Sequence, residues 1–222
     1  MHRPHSVVFL ILFLMLPIMA SAVDPPPVGD DAVLCLYTHW DEENGPADGD
    51  IEYPAWVPLT YYPFSIVLYH IEGGGGLGGV EFSIHVEQGE IELLYGVSFM
   101  LFDVEYMPGF EGDYLNIGED NDVFMGLSEP AIPINGGVHI MQGNFFFLPS
   151  VALDQPITVR FGPCSTPSVP GQMSYVDFGD ISLIQMMVPN NPTGDLDQPV
   201  FSFGIPVATE SMSLSSIKGL FN

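Results

Sequence analysis

Positive charge is almost missing from this chain. Against 28 Asp and Glu it carries 3 Lys and Arg, a formal net charge of −25 at pH 7. With no basic patch to neutralise phosphates, nucleic acid is excluded as a partner, and adhesion to an anionic lipid surface is disfavoured for the same reason. Cysteine is scarce as well: Cys35 and Cys164 are the only two, too few for a thiolate zinc site. Apolar runs end early. After the first 22 residues no stretch approaches the roughly 20 apolar residues that cross a bilayer, so stable membrane insertion is not expected once that start is removed. A sustained apolar period of about 3.6 residues is also absent, which argues against a helical bundle. The 24 glycines and 21 prolines suit strands joined by turns instead.

What is present begins with an export signal. Arg3 supplies a positive start, Val7 to Leu16 is an unbroken apolar run, and Ala20-Ser21-Ala22 has the small-x-small pattern of a cleavage site. Ten residues of helix rise about 15 Å, half of a bilayer core of ~30 Å, which favours cleavage over a permanent anchor. The expected organisation is a signal peptide over 1–22, a Pro-rich linker (VDPPPVG) within 23–31, one domain over 32–204 and a tail over 205–222. The location implied is secreted, at the cell surface or outside it, with the periplasm as the other oxidising compartment. There the two cysteines leave two readings open: a bridge between Cys35 and Cys164, or two separate buried thiols packed as small hydrophobes.

The domain reads as strands. Ala32 to Thr38 (AVLCLYT) is the first, and Pro63 to Ile71 (PFSIVLYHI) is nearly all apolar, as in a central strand buried on both faces. Gly73 to Gly79 is expected to be a flexible turn. From Val80 to Glu87 the pattern alternates: Val80, Phe82, Ile84 and Val86 belong in a core, and Glu81, Ser83, His85 and Glu87 in water. Glu90 to Val104 is a long strand pattern with a break or bulge at Gly96. Shorter strands follow near 123–127, 137–148, 157–161, 174–178, 181–188 and 199–203, separated by Pro- and Gly-rich turns. About 8–10 strands with such punctuation predict an all-β antiparallel sandwich, cohesin-like or Ig/jelly-roll-like. The one helical candidate is the C-terminus, where Leu214, Ile217, Leu220 and Phe221 share a face.

Several of these pieces together carry a resemblance. LCLYTHWDEENG early in the domain, then GGVEFSIHVEQGEI, and late in the chain VPGQMSYVDFGD and VPNNPTGDLDQPVFSFG, resemble a group of secreted bacterial proteins built as one β-sandwich after a signal peptide. The GGVEFSIHVEQGEI segment is similar in kind to the amphipathic strand and following turn of cohesin-like and carbohydrate-binding-module-like sandwiches. The resemblance covers Ala32 to Gly204. The tail VATESMSLSSIKGLFN resembles the terminal segments of such exported domains, with Leu214-Ser215 where those more often carry Trp-Gly. The resemblance assigns no catalytic residue.

Candidate chemistry gathers in the loop from His39 to Tyr62. Trp40, Tyr53, Trp56, Tyr61 and Tyr62 are aromatics of the kind that stack on sugar rings or anchor a protein ligand; the competing role is to pin a long irregular loop onto the sandwich. The acids of the same loop, Asp41, Glu43, Asp48, Asp50 and Glu52, with Asp113, Asp120 and Asp122 further on, are the oxygen donors a calcium ion would need, or else a solvated acidic surface. Calcium is the only cofactor suggested. His70 with Glu72 and His85 with Glu87 would form a metal cluster only if the Gly-rich turn set their strands side by side. Neither G-x-S-x-G nor HExxH occurs. The reading favoured is therefore an exported non-enzymatic structural or binding module, working through loops of a β-sandwich on a glycan or protein ligand. A calcium-stabilised carbohydrate-binding module is the alternative, and a carboxylate-dependent glycoside hydrolase the third.

Overall fold

The computed structural model describes residues 30–41, 43–46, 50–106 and 121–205. The expected export signal, the expected linker up to residue 29 and the expected tail from residue 206 lie outside the described residues. Fourteen strands follow one another with no helix among the described residues: β1 (Ala32–Tyr37), β2 (Trp40–Asp41), β3 (Gly45–Pro46), β4 (Glu52–Tyr53), β5 (Tyr61–Tyr69), β6 (Leu77–Gln88), β7 (Ile91–Glu92), β8 (Phe99–Tyr106), β9 (Asp122–Ala131), β10 (Gly137–Phe147), β11 (Ile157–Gly162), β12 (Met173–Asp177), β13 (Asp180–Pro189) and β14 (Phe201–Phe203).

Apart from the small β2–β3 ribbon, hydrogen bonds link the strands into one sheet of order β4-β14-β11-β6-β12-β13-β1-β5-β10-β8, with β7 and β9 also paired to β6. Pairing is antiparallel except between β1 and β13 and between β14 and β4. Long strand β6 organises the turn of this sheet. Ser83 pairs with Gly162 of β11 and with Asp122 of β9; two residues back, Glu81 pairs with Ser174 of β12 and Phe124 of β9. Thus β11 and β12 follow each other along one edge of β6, and β9 takes the other edge. The sheet then doubles back on itself. Phe203 of β14, near one end of the order, meets Phe147 at 4.9 Å, Phe145 at 5.6 Å and Tyr62 at 5.4 Å, residues of β10 and β5 near the other end. Two layers with an aromatic seam between them make an all-β sandwich, as the strand pattern predicted. Edge-to-face aromatic pairs of this kind contribute about 0.5–1.5 kcal/mol each beyond their buried area.

The core follows period two. Leu34 and Leu36 of β1, Phe64, Ile66 and Leu68 of β5, and Phe82, Ile84 and Val86 of β6 are all buried in it. As expected for a central strand, β5 is buried on both faces from Phe64 to Tyr69. The cover on its outer side is a second cluster of Val33, Cys35, Tyr37, Trp40, Val67 and Tyr69.

Two expectations are corrected and a third is refined. The outer face of β6 is not in water at Glu81 and Ser83, which are 8% and 1% exposed. The segment between β11 and β12 folds over them: Ser168 donates its N–H and hydroxyl to Glu81, Ser174 donates to the same carboxylate, and Ser83 donates to the Pro163 carbonyl. The glycine run is not all turn, since Leu77 to Gly79 belong to β6. A Cβ on Gly78 would sit 2.9 Å from Phe178 Cα, and one on Gly79 2.8 Å from the Met125 carbonyl, so these glycines serve close approach of strands. The pattern from Glu90 to Val104 divides into β7 and β8, and the expected break at Gly96, with a φ of 75°, falls in the turn that leads into β8.

Candidate functional site

The aromatics of the long loop mostly point inward. Trp56 is fully buried, its ring 5.5 Å from Phe147 and its Nε1–H donating to the Gln155 carbonyl at 3.3 Å. Trp40 is 4% exposed; its Nε1–H donates to Tyr69 Oη at 2.9 Å and its ring packs 5.2 Å from His139. Tyr62 is buried and its hydroxyl accepts the Val57 N–H. Half-buried Tyr53 stacks on Phe203 at 5.4 Å and donates to the Pro63 carbonyl. Only Tyr61, 54% exposed, offers its ring to solvent. A sugar platform built on Trp40 and Trp56 is thereby ruled out. An irregular loop can be ordered only by burying its few large side chains, and these rings do that.

The acids are dispersed. Asp41 Oδ1 accepts the N–H groups of Asn44 and Glu43, each at 2.8 Å, and these two bonds hold its carboxyl below the usual range. Glu43 lies in the same exposed turn. Asp50 is buried and accepts from Thr38 Oγ1 at 2.6 Å, and Glu52 is exposed on β4. Asp122 is buried and accepts both the N–H and the hydroxyl of Ser165. Asp48, Asp113 and Asp120 lie outside the described residues. Among the described residues no group of three or more His, Cys, Asp or Glu is placed to hold a metal ion. The His70–Glu72 and His85–Glu87 pairs do not meet side by side, because β5 pairs with β1 and β10 while β6 pairs with β7, β9, β11 and β12.

The cysteines are separate free thiols, both buried. Cys35 faces the Tyr37–Trp40–Tyr69 cluster, where burial raises its pKa; Cys164 donates to the Phe82 carbonyl at 3.1 Å, and burial pushes its pKa up to about 12. The bridge left open by the sequence is not formed, since one thiol covers β1 and the other follows β11.

A built groove lies elsewhere, on the outer face of β5, β10 and β8. It measures about 310 Å³ and is lined by Thr38 and His39 at one end, Ser65, Gln142 and Asn144 along the floor, and Asp103 and Glu105 on the rim. A register shift between Gln142 and Asn144 kinks the β10–β8 pairing, and Asp103 takes a φ of 50° there, on the exposed rim. Glu105 is held by the Gln142 Nε2–H at 2.9 Å. Gly143 leaves space in the floor: a Cβ there would come within 3.1 Å of the Phe64 ring. Beside the groove, Tyr61 of β5, Phe146 of β10 and Phe102 of β8 form a surface cluster with centroid separations of 5.0, 5.3 and 5.6 Å. Of these residues the loop reading named only Tyr61. The outward alternation Gln142, Asn144, Phe146 within GVHIMQGNFFF was the available signal; which strands would flank it was not.

No family model matches the chain, and no curated protein matches it. Solved structures similar to it are cohesin modules. The sixth cohesin of Acetivibrio cellulolyticus scaffoldin B, solved with a Cel5 dockerin, is 10% identical over 80% of this chain and 99% of its own, with a TM-score of 0.45. A type III cohesin from Ruminococcus flavefaciens ScaE is 10% identical over 80% of this chain and 88% of its own, at 0.40. A non-cellulosomal cohesin of Archaeoglobus fulgidus is 11% identical over 62% of this chain and 79% of its own, at 0.34.

Proposed function

We propose that this chain is an exported binding module that holds a protein ligand through the β5–β10–β8 groove, a basic side chain of the ligand entering between Asp103 and Glu105. The observation that carries this reading is the juxtaposition of two exposed carboxylates, an amide floor and a partly exposed aromatic cluster on three adjacent strands. Rigid strands keep the polar groups in place before the ligand arrives, so little ordering entropy is lost on binding. A net charge of −25 raises the encounter rate with a cationic surface and repels acidic ones. Aromatic side chains beside such a pocket are the usual anchors of binding energy. Tyr61, Phe102 and Phe146 engage each other edge to face or tilted, a packing that suits an apolar or aromatic side chain better than the broad flat face of a sugar.

The test is titration calorimetry with Lys- and Arg-containing peptides, their neutral analogues and a glycan panel, each at low and high salt. Binding of cationic peptides should weaken with salt and fall about tenfold in Asp103→Asn/Glu105→Gln, equivalent to roughly 1.4 kcal/mol. Salt-insensitive binding of a neutral glycan, lost in Tyr61→Ala and untouched by the carboxylate variant, would overturn the protein-ligand reading. Export is tested by N-terminal sequencing of secreted material, which should begin at Val23.

A further inference from the structure

A second cavity, of about 360 Å³, opens beside β6 and β7. On its wall Ser83 Oγ lies 2.7 Å from His85 Nε2, and His85 Nδ1 lies 2.6 Å from Glu92 Oε1. We propose that this relay is a hydrolytic site for small uncharged carboxylic esters, with Ser83 as nucleophile, His85 as general base and Glu92 as the positioning residue. The assignment stands independently of the binding groove and departs from the expectation of a chain without catalysis.

The geometry is built from neighbouring strands. Ser83 and His85 are two apart on β6 and share its outer face. β7 pairs antiparallel with the end of β6, which brings the Glu92 carboxylate to the imidazole. Ionised carboxylate oxygens only accept, so Glu92 claims the Nδ1–H and the Nε2 lone pair takes the serine proton once that hydroxyl turns from the Pro163 carbonyl to which it donates. Gly162, paired with Ser83 on β11, clears the junction: a Cβ there would stand 2.8 Å from Nε2 and 3.3 Å from Ser83 Oγ. Asn121 lines the same cavity at 6% exposure, and its Oδ1 has no hydrogen-bond partner among the described residues. In the proposal the other end of that amide, the Asn121 Nδ2–H2 group, is the donor to a carbonyl oxygen that gains charge.

In the reaction Ser83 Oγ bonds to the ester carbonyl carbon as its proton passes to Nε2. The tetrahedral adduct then breaks its bond to the alkoxy oxygen, which leaves as the alcohol with the proton from His85. Water repeats the sequence, its proton going to Nε2 and then back to Ser83 Oγ, and the carboxylic acid is released. Leu93 and Tyr95 supply an apolar wall for a short acyl chain, and Glu92 with Asp122 disfavours anionic substrates. The Pro163 carbonyl, 2.9 Å from Ser83 Oγ, competes for the hydroxyl proton, so turnover is slow and covalent labelling is the sensitive readout.

The test treats the mature protein with 4-nitrophenyl acetate and, separately, with a fluorophosphonate probe followed by peptide mapping. Labelling should fall on Ser83. Hydrolysis should drop about 100-fold or more in Ser83→Ala and in His85→Gln, and Glu92→Gln should shift the pH–rate profile while leaving Ser83 the labelled residue. Circular dichroism identifies a variant that fails to fold, in which case wild-type labelling decides. Absence of labelling, labelling elsewhere, or equal hydrolysis by folded Ser83→Ala overturns the proposal.

Discussion

Acidification from pH 7 to 4 should destabilise the protein through His139, which packs on the outer-face cluster. This imidazole on β10 is 7% exposed, packs against Trp40 at 5.2 Å and has no partner for Nε2 among the described residues. Burial pushes its pKa down to about 4 from the usual 6.5; a backbone hydrogen bond with Met141 opposes the shift and His39 adds to it. The unfolded chain therefore takes up the proton first. The stability stored in the neutral ring is fully present above about pH 6.5 and drains away as the pH falls toward 4. A shift of this size corresponds to about 3 kcal/mol at pH 4, each unit being worth about 1.4 kcal/mol. Carboxylate titration also changes stability in this range, so the measurement is a difference. Urea unfolding of wild type and His139→Gln is followed by tryptophan fluorescence at several pH values between 7 and 4. Wild type should lose about 3 kcal/mol more than the variant over that range. Parallel stability profiles, or an NMR titration that places the His139 ring near 6.5 in the folded protein, would refute the reasoning.

Three further outcomes are expected. Trp56→Ala should cost about 3–5 kcal/mol in chemical denaturation, because the ring is fully buried against Phe147 and truncation leaves a cavity; a loss under 1 kcal/mol would contradict its anchoring role. Because Cys35 and Cys164 are free and buried, a thiol reagent should react with both only after unfolding, and reductant should leave Tm unchanged; a Tm lowered by reductant would reveal a bridge. Gly79→Ala should destabilise by about 1–3 kcal/mol, since the new Cβ would lie 2.8 Å from the Met125 carbonyl, whereas Gly126→Ala, with open space around it, should cost less.

Period two in β6 and the nearly all-apolar run of β5 were legible from residues alone, because side-chain alternation is a local property of an extended chain. So were the all-β class and the sign of the surface charge. Local patterns did not say what lies above a strand. Glu81 and Ser83 read as solvent-facing and are buried, because the segment between β11 and β12 returns across them with hydrogen-bond donors for both. Trp40 and Trp56 left two readings, ligand platform or loop anchor, with the anchor favoured, and packing against His139 and Phe147 places them as anchors. Strand order also came only with the tertiary structure. It kept His70, just past the end of β5, away from His85 on β6, which does not pair with β5, set Glu92 beside His85, and brought Tyr61, Phe102 and Phe146 together from residues as much as 85 positions apart. Alternation along a strand is set by the backbone of that strand, but the neighbours of each face are set by hydrogen bonds to strands far away in the chain, and both candidate sites are made of such neighbours.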